Sequence, residues 1–231
     1  MKEKTLGILG GMGPEATVYF MRKVIELTPA ERDQDHIRMI VVNDPKTPDR
    51  TAAILEEGEN PIPVLIRNAR LLEDAGADLI AVPCNSFFFF YEEVQRAISI
   101  PIIHMIEETA KVLDKAGIRR VGIVATKGTL KTRLYHNALG RRGIELIEPT
   151  DIEGIMRAIY EIKAGKKERA RKKVLEALQE LERKGAERVI AGCTEIPLVV
   201  SKEEYPIVDP MEIVAKIIIR EIKGADLKLL D

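Results

Sequence analysis

The chain has 231 residues, 45% of them hydrophobic and 32% charged, enough to bury a substantial core in one or two compact domains. Lys and Arg number 36 against 37 Asp and Glu, a net charge of -1 that gives no electrostatic reason for a nucleic acid or an anionic membrane as partner. Two cysteines, Cys84 and Cys193, stand 109 positions apart, which fits neither a disulfide framework nor a zinc site and points to a reducing, cytoplasmic setting.

The N-terminus begins with a basic stretch, but its apolar part, LGILG at 6–10, is short and broken by glycines, so no signal peptide is expected. That run reads as the first strand, and GMGP after it places Pro14 in the first turn of a helix. Further apolar runs follow: MIVVN at 39–43, LIAVP at 79–83, VGIVA at 121–125 and VIAG at 189–192. Helical periodicity is clear over 61–75, 104–116, 151–164 and 167–184, and a last helix begins at Pro210. Alternation of this kind predicts α/β architecture with mostly parallel sheets flanked by helices. No segment is apolar for long enough to span a bilayer.

The pattern occurs twice. Gly76-Ala77-Asp78 leads through LIAVP to Cys84-Asn85-Ser86, and Gly185-Ala186-Glu187 leads through RVIAG to Cys193-Thr194-Glu195, with eight positions from glycine to cysteine in both. Leu6-Gly7-Ile8-Leu9 with Gly13 echoes Val121-Gly122-Ile123-Val124 with Gly128, and Pro101-Ile102-Ile103 echoes Pro206-Ile207-Val208. The repetition predicts two similar lobes related by pseudo-two-fold symmetry: 1–101 with 210–231 around the first cysteine, and 102–209 around the second. Ligands of such sheets sit beyond the carboxyl ends of the strands. Each cysteine ends a predicted strand and opens a predicted helix, where the helix dipole and free N–H groups would lower a thiol pKa from roughly 8.5 toward neutrality. Two thiols facing across a pseudo-two-fold axis suit one reaction above others: racemisation, in which one thiolate removes an α-proton and the opposing thiol returns one from the far side. A lone buried cysteine is more often inert packing. Equivalence within a repeat argues otherwise.

Several segments carry a resemblance: Gly7-Ile8-Leu9-Gly10-Gly11-Met12-Gly13-Pro14, Pro48-Asp49-Arg50-Thr51, Pro83-Cys84-Asn85-Ser86, Met105-Ile106-Glu107-Glu108-Thr109, Lys163-Ala164-Gly165 and Gly192-Cys193-Thr194-Glu195. Together they resemble the cofactor-independent aspartate/glutamate racemase superfamily, and within it the archaeal-type aspartate racemases, over nearly the whole chain. The resemblance implies Cys84 and Cys193 as the two bases, no pyridoxal phosphate or metal, and a homodimer. It also implies substrate-binding roles: Arg50 and Lys163 on carboxylates; Asn85, Ser86 and Thr194 around the α-carboxylate; Glu195 near the ammonium group. Thr126 and Met12 complete the expected site.

One stretch departs from that pattern. Ser86, Phe87 and Phe88 stand where related aspartate racemases usually carry Thr, a small residue and often His, and four phenylalanines run from Phe87 to Phe90. If a helix began at 85, Phe87 and Phe90 would share a face with Tyr91 while Phe88 and Phe89 diverged. Rings such as Phe87 at the pocket would shrink it or favour an apolar substrate side chain, with His104 offering an imidazole or a structural one. Alternatives therefore stand beside an acidic amino acid: an apolar amino acid, a hydantoin, a diacid, or a silent ligand-binding relative. A nucleotide module on GILGGMGP lacks the G-x-G-x-x-G spacing. A cysteine hydrolase would want a histidine paired with its thiol.

Overall fold

The computed structural model describes residues 3–230; the first two residues and Asp231, which the expected first lobe includes, lie outside the described residues. Strand β1 (Leu6–Gly10) pairs in parallel with β2 (Met39–Asn43) on one side and β3 (Leu79–Ala81) on the other, and a parallel bridge from Ile80 to Ile102 extends that edge. The second sheet repeats the arrangement, with β4 (Arg120–Val124) between β5 (Glu145–Ile147) and β6 (Arg188–Ala191), and β7 (Ile207–Val208) beyond β6. Ile8 lies opposite Val41 and Ala81; Gly122 lies opposite Ile147 and Val189. All these pairings are parallel, as continuous apolar strands between helical layers require.

The first sheet is covered by α1 (Pro14–Leu27) and α3 (Ile62–Asp74), with the short α2 (Arg50–Ile54) between them in sequence. After α4 (Tyr91–Arg96), α5 (Met105–Lys115) leads into the second half, where α6 (Lys127–Lys131), α7 (Leu134–Gly140), α8 (Ile152–Lys163) and α9 (Lys167–Arg183) follow. In α9, Ala170, Val174, Ala177, Leu178 and Leu181 recur every three or four positions and are buried, while the intervening Lys, Arg and Glu face water. The last helix, α10 (Pro210–Lys223), is capped by the Asp209 carboxylate on Met211 N–H and ends at Gly224 in the left-handed conformation. It packs on α1 and α5, and Tyr19 of α1 donates to Asp209 at 2.9 Å.

Two apolar cores result. One joins β1, β3, α1, α3, α5, α7 and α10, with β4 at its border; the other is built from β6, α8 and α9. Within the first core α2 lies against α6. A β-carbon at Gly128 would stand 2.9 Å from the Thr51 hydroxyl, so only glycine admits this approach.

The expected helices after the cysteines are corrected by the structure. Cys84 is followed by a five-residue 3-10 turn, Asn85–Phe89, and Cys193 by a tight turn that closes into Ile196–Leu198, with Pro197 inside it. Neither thiol has an α-helix dipole behind it. Phe87, Phe88 and Phe90 are buried while Phe89 is exposed, so the turn divides the run between core and surface.

Candidate active site

Strands β1, β3, β4 and β6 deliver their following loops to one place. Met12 follows β1, Cys84, Asn85 and Ser86 follow β3, Thr126 follows β4, and Cys193, Thr194 and Glu195 follow β6; all line one cavity together with Arg50 of α2 and Lys163 of α8. The structure thus brings together every residue expected at the site except Phe87, which is fully buried in the first core and does not line the cavity. Asp49, Thr51, Thr129, Ile159 and Tyr160 also line it without having been singled out by sequence. Signals for them existed: Asp49 and Thr51 flank Arg50, and Ile159 and Tyr160 sit one helical turn before Lys163.

Arg50 is 93% buried and forms no ion pair among the described residues. Asp49 caps α2 by accepting from Ala52 N–H at 2.8 Å, which fixes Arg50 as the first residue of that helix. The guanidinium is anchored by backbone carbonyls: Nη1 donates to Thr47 at 3.0 Å and Pro48 at 2.7 Å, while Nη2 makes a long 3.4 Å contact to Met12. Its Nε has no partner. The Nε–Nη2 edge, the side of the fork that grips a carboxylate with two parallel bonds, is therefore held in place and available. Asn85 presents a second orphan donor, Nδ2, from a side chain that is itself buried. Unsatisfied buried donors are costly, and two around one cavity point to an anionic ligand.

At the other thiol, Cys193 Sγ donates to Glu195 Oε2 at 2.9 Å, and Lys163 Nζ lies 3.6 Å from Glu195 Oε1. Burial and the Glu195 carboxylate push the Cys193 thiol well up, against the pull of Lys163. The expected lowering toward neutrality is thus reversed at this cysteine: the group facing it is a carboxylate. Burial works to discharge Lys163, but Glu195, Cys193 and Cys84 outweigh it and hold the ammonium above the ordinary lysine value. Cys84 Sγ lies 3.4 Å from Ser86 Oγ.

The cavity between the thiols measures about 20 Å³, room for roughly one water. Outside it opens a vestibule of about 490 Å³, lined by Gly13, Pro14 and Thr47 and sharing Asp49, Arg50, Lys163 and Glu195 with the inner cavity. These four shared residues form the partition. Across it, Tyr160 OH donates to Asp49 at 3.3 Å.

The phenylalanine run stays out of the cavity. Phe87, Phe88 and Phe90 are buried and Phe89 is 50% exposed. Phe88, rather than Phe87 or Phe90, meets Tyr91, with ring centroids 6.1 Å apart, and lies 4.6 Å from His104. His104 caps α5 by accepting from Glu107 N–H, and burial lowers its pKa, so it is a structural histidine. Threonines, Asn85, Ser86, the charged groups and Tyr160, not the phenylalanines, line the cavity with the thiols.

Comparison with known proteins agrees with this geometry. Residues 9–218 match the family described as Asp/Glu/Hydantoin racemase. The chain belongs to that family. It is an isomerase of the racemase type. The broad specificity amino-acid racemase RacX of Bacillus subtilis is 31% identical over 218 residues, spanning 91% of this chain and 95% of that one. The solved aspartate racemase of Picrophilus torridus superposes with a TM-score of 0.89 at 32% identity, covering 97% and 96% of the two chains. An aspartate racemase homologue from Pyrococcus horikoshii gives 0.75 at 28% identity, over 95% and 99%. The two-sheet arrangement of the racemase is therefore the fold of its relatives. No helix among the described residues is long and apolar enough to cross a membrane.

Proposed function

We propose that this racemase inverts the α-carbon of an acidic amino acid with Cys84 and Cys193 as its two bases. The observation that carries this reading is one cavity lined by a thiol from each sheet and by a buried arginine whose Nε has no partner and whose Nη2 has only a long contact to Met12. The substrate α-carboxylate takes the Arg50 edge and Asn85 Nδ2, and Lys163 takes the side-chain carboxylate. Glu195, released from Lys163, takes the substrate ammonium. In the resting site Cys193 carries a proton toward Glu195, so the first abstraction falls to Cys84. Its thiolate removes the α-proton, the electron pair delocalises into the carboxylate held by Arg50 and Asn85, and Cys193 delivers its proton to the opposite face. Cys84 is left a thiol and Cys193 a thiolate, and the reverse turnover restores them. The chemistry calls on neither pyridoxal phosphate nor a metal.

An amino acid does not fit about 20 Å³, so the partition of Arg50, Lys163, Asp49 and Glu195 opens to admit it from the vestibule. The Arg50 and Lys163 cations in the lining support an acidic side chain over the apolar one that a phenylalanine ring at the pocket would have favoured. A racemase from Picrophilus torridus named for aspartate and a RacX named for broad specificity make aspartate the first substrate to test and a wider panel the second. The resemblance also carries a homodimer, which sedimentation equilibrium tests. The enzyme itself is tested by following the optical rotation of L- and D-aspartate, then other amino acids. Decay of both enantiomers to zero rotation is expected; no decay with any of them, from folded and reduced protein, refutes the reading.

A further inference from the structure

We propose that Tyr135 is a positioning residue for the racemase reaction: it reaches from α7 to lock the amide of Asn85 with its N–H bonds turned to the substrate carboxylate. This rests on the racemase reading above. Tyr135 stands on α7, which α6 enters through Arg133 in the left-handed conformation (φ 54), a sharp redirection of the chain. The turn drives the Tyr135 ring inward until it is 1% exposed, and its hydroxyl meets Asn85 Oδ1 at 2.7 Å. A buried phenol needs a partner for its proton. It finds this one 50 positions away, in the turn after β3.

The consequence lies at Asn85. An amide side chain has one accepting and one donating end, which exchange places by a half-turn. With Oδ1 taken by the phenol, Nδ2 is the end left without a partner, in a residue that lines the cavity beside Cys84. A half-turn would give up the phenol's donation to a carbonyl and aim carbonyl lone pairs at an incoming anion. Burial raises the Tyr135 pKa, so the hydroxyl remains a donor. Tyr135 does not line the cavity, and its one contact to a cavity-lining side chain is the bond to Asn85; its other side-chain partner, Thr109, stands on α5 away from the cavity.

Tyr135→Phe keeps the ring and removes the donor. The expected result is a loss of about tenfold in kcat/KM for aspartate, the size of one misplaced hydrogen bond. In an Asn85→Ala background the same substitution should change kcat/KM by less than about twofold, because no amide remains to orient. A merely structural tyrosine would instead lower activity equally in both backgrounds and reduce the melting temperature in proportion. That outcome, or an unchanged kcat/KM in the single variant, overturns the proposal. Wild-type protein supplies a second reading should Tyr135→Phe not fold. The Asn85 side-chain N–H pair in a nitrogen-15 correlation spectrum, assigned by its loss in Asn85→Ala, should shift when aspartate is added. A pair that does not move while other site signals do overturns the proposal. Wild-type protein that neither racemises nor binds any carboxylate would instead sink the racemase reading on which it rests.

Discussion

Arg50 offers the sharpest separation of function from stability. Replacing it with Met removes the two donors on the Nε–Nη2 edge and with them two charge-assisted bonds to the substrate carboxylate. Each such bond contributes about 1.5–3 kcal/mol, so the pair is about 3–6 kcal/mol, or about 10²–10⁴-fold in kcat/KM. Stability should respond differently. The substitution orphans the carbonyls of Thr47, Pro48 and Met12, at about 1 kcal/mol each, but also removes a buried cation that no carboxylate neutralises. These terms oppose, and the net change in unfolding free energy should stay within about 2 kcal/mol. Arg50→Lys keeps the charge without the fork and should lose about 10–100-fold in kcat/KM. Racemisation kinetics and urea unfolding on the same samples provide both numbers. Aspartate should also raise the melting temperature of wild type and not that of Arg50→Met. Destabilisation beyond about 3 kcal/mol with kcat/KM nearly intact would show that Arg50 is a structural brace and would refute the reasoning.

Three further predictions follow from burial and charge. Burial lifts the Asp209 carboxyl to about 6 from an ordinary 3.8, so its contribution to stability is complete below about pH 4 and lost as pH rises through 6. Asp209→Asn should erase that slope and, above pH 6, be more stable than wild type by up to about 3 kcal/mol in urea melts; a variant less stable at pH 7.5 contradicts the sign. Within the phenylalanine run, Phe87→Ala should cost about 3–5 kcal/mol, whereas Phe89→Ser should change stability by less than about 0.5 kcal/mol and leave kcat/KM unchanged, as thermal melts and rates will show. Glu195→Gln removes the negative charge facing Cys193, so in a Cys84→Ser background iodoacetamide should alkylate Cys193 faster at neutral pH. Slower alkylation would mean that Glu195 activates this thiol instead.

Legibility in the sequence followed the range of the interactions involved. Strands β1 and β2 are read to the residue because continuous apolar runs bounded by Gly, Asn or Asp have no competing reading, and the four periodic helices fall within a residue or so of their expected ends. Short β5, of three residues, carries too little pattern to stand out, and the two residues of β7 show only as an echo of Ile102 and Ile103. Arg50 in isolation looks like a surface charge, and only the motif around it suggested a site; its burial comes from the carbonyls of two loops that sequence does not place side by side. The helices expected after the cysteines are 3-10 segments of five and three residues instead, too short for helical periodicity to distinguish them. Tyr135 was invisible for a related reason. Its meaning lies in one hydrogen bond to a residue 50 positions away, and nothing in the amphipathic pattern of α7 sets it apart from an ordinary core ring.

The central claim is that one thiol serves each face of the α-carbon. The most direct measurement is NMR of α-proton exchange in D2O with L- and D-aspartate, for wild type, Cys84→Ser and Cys193→Ser. Wild type should incorporate deuterium while racemising both enantiomers. Each variant should lose racemisation by a factor of about a hundred or more, since a weaker acid-base group replaces one of the two thiols. Racemisation near the wild-type rate in either single variant would contradict the two-base account.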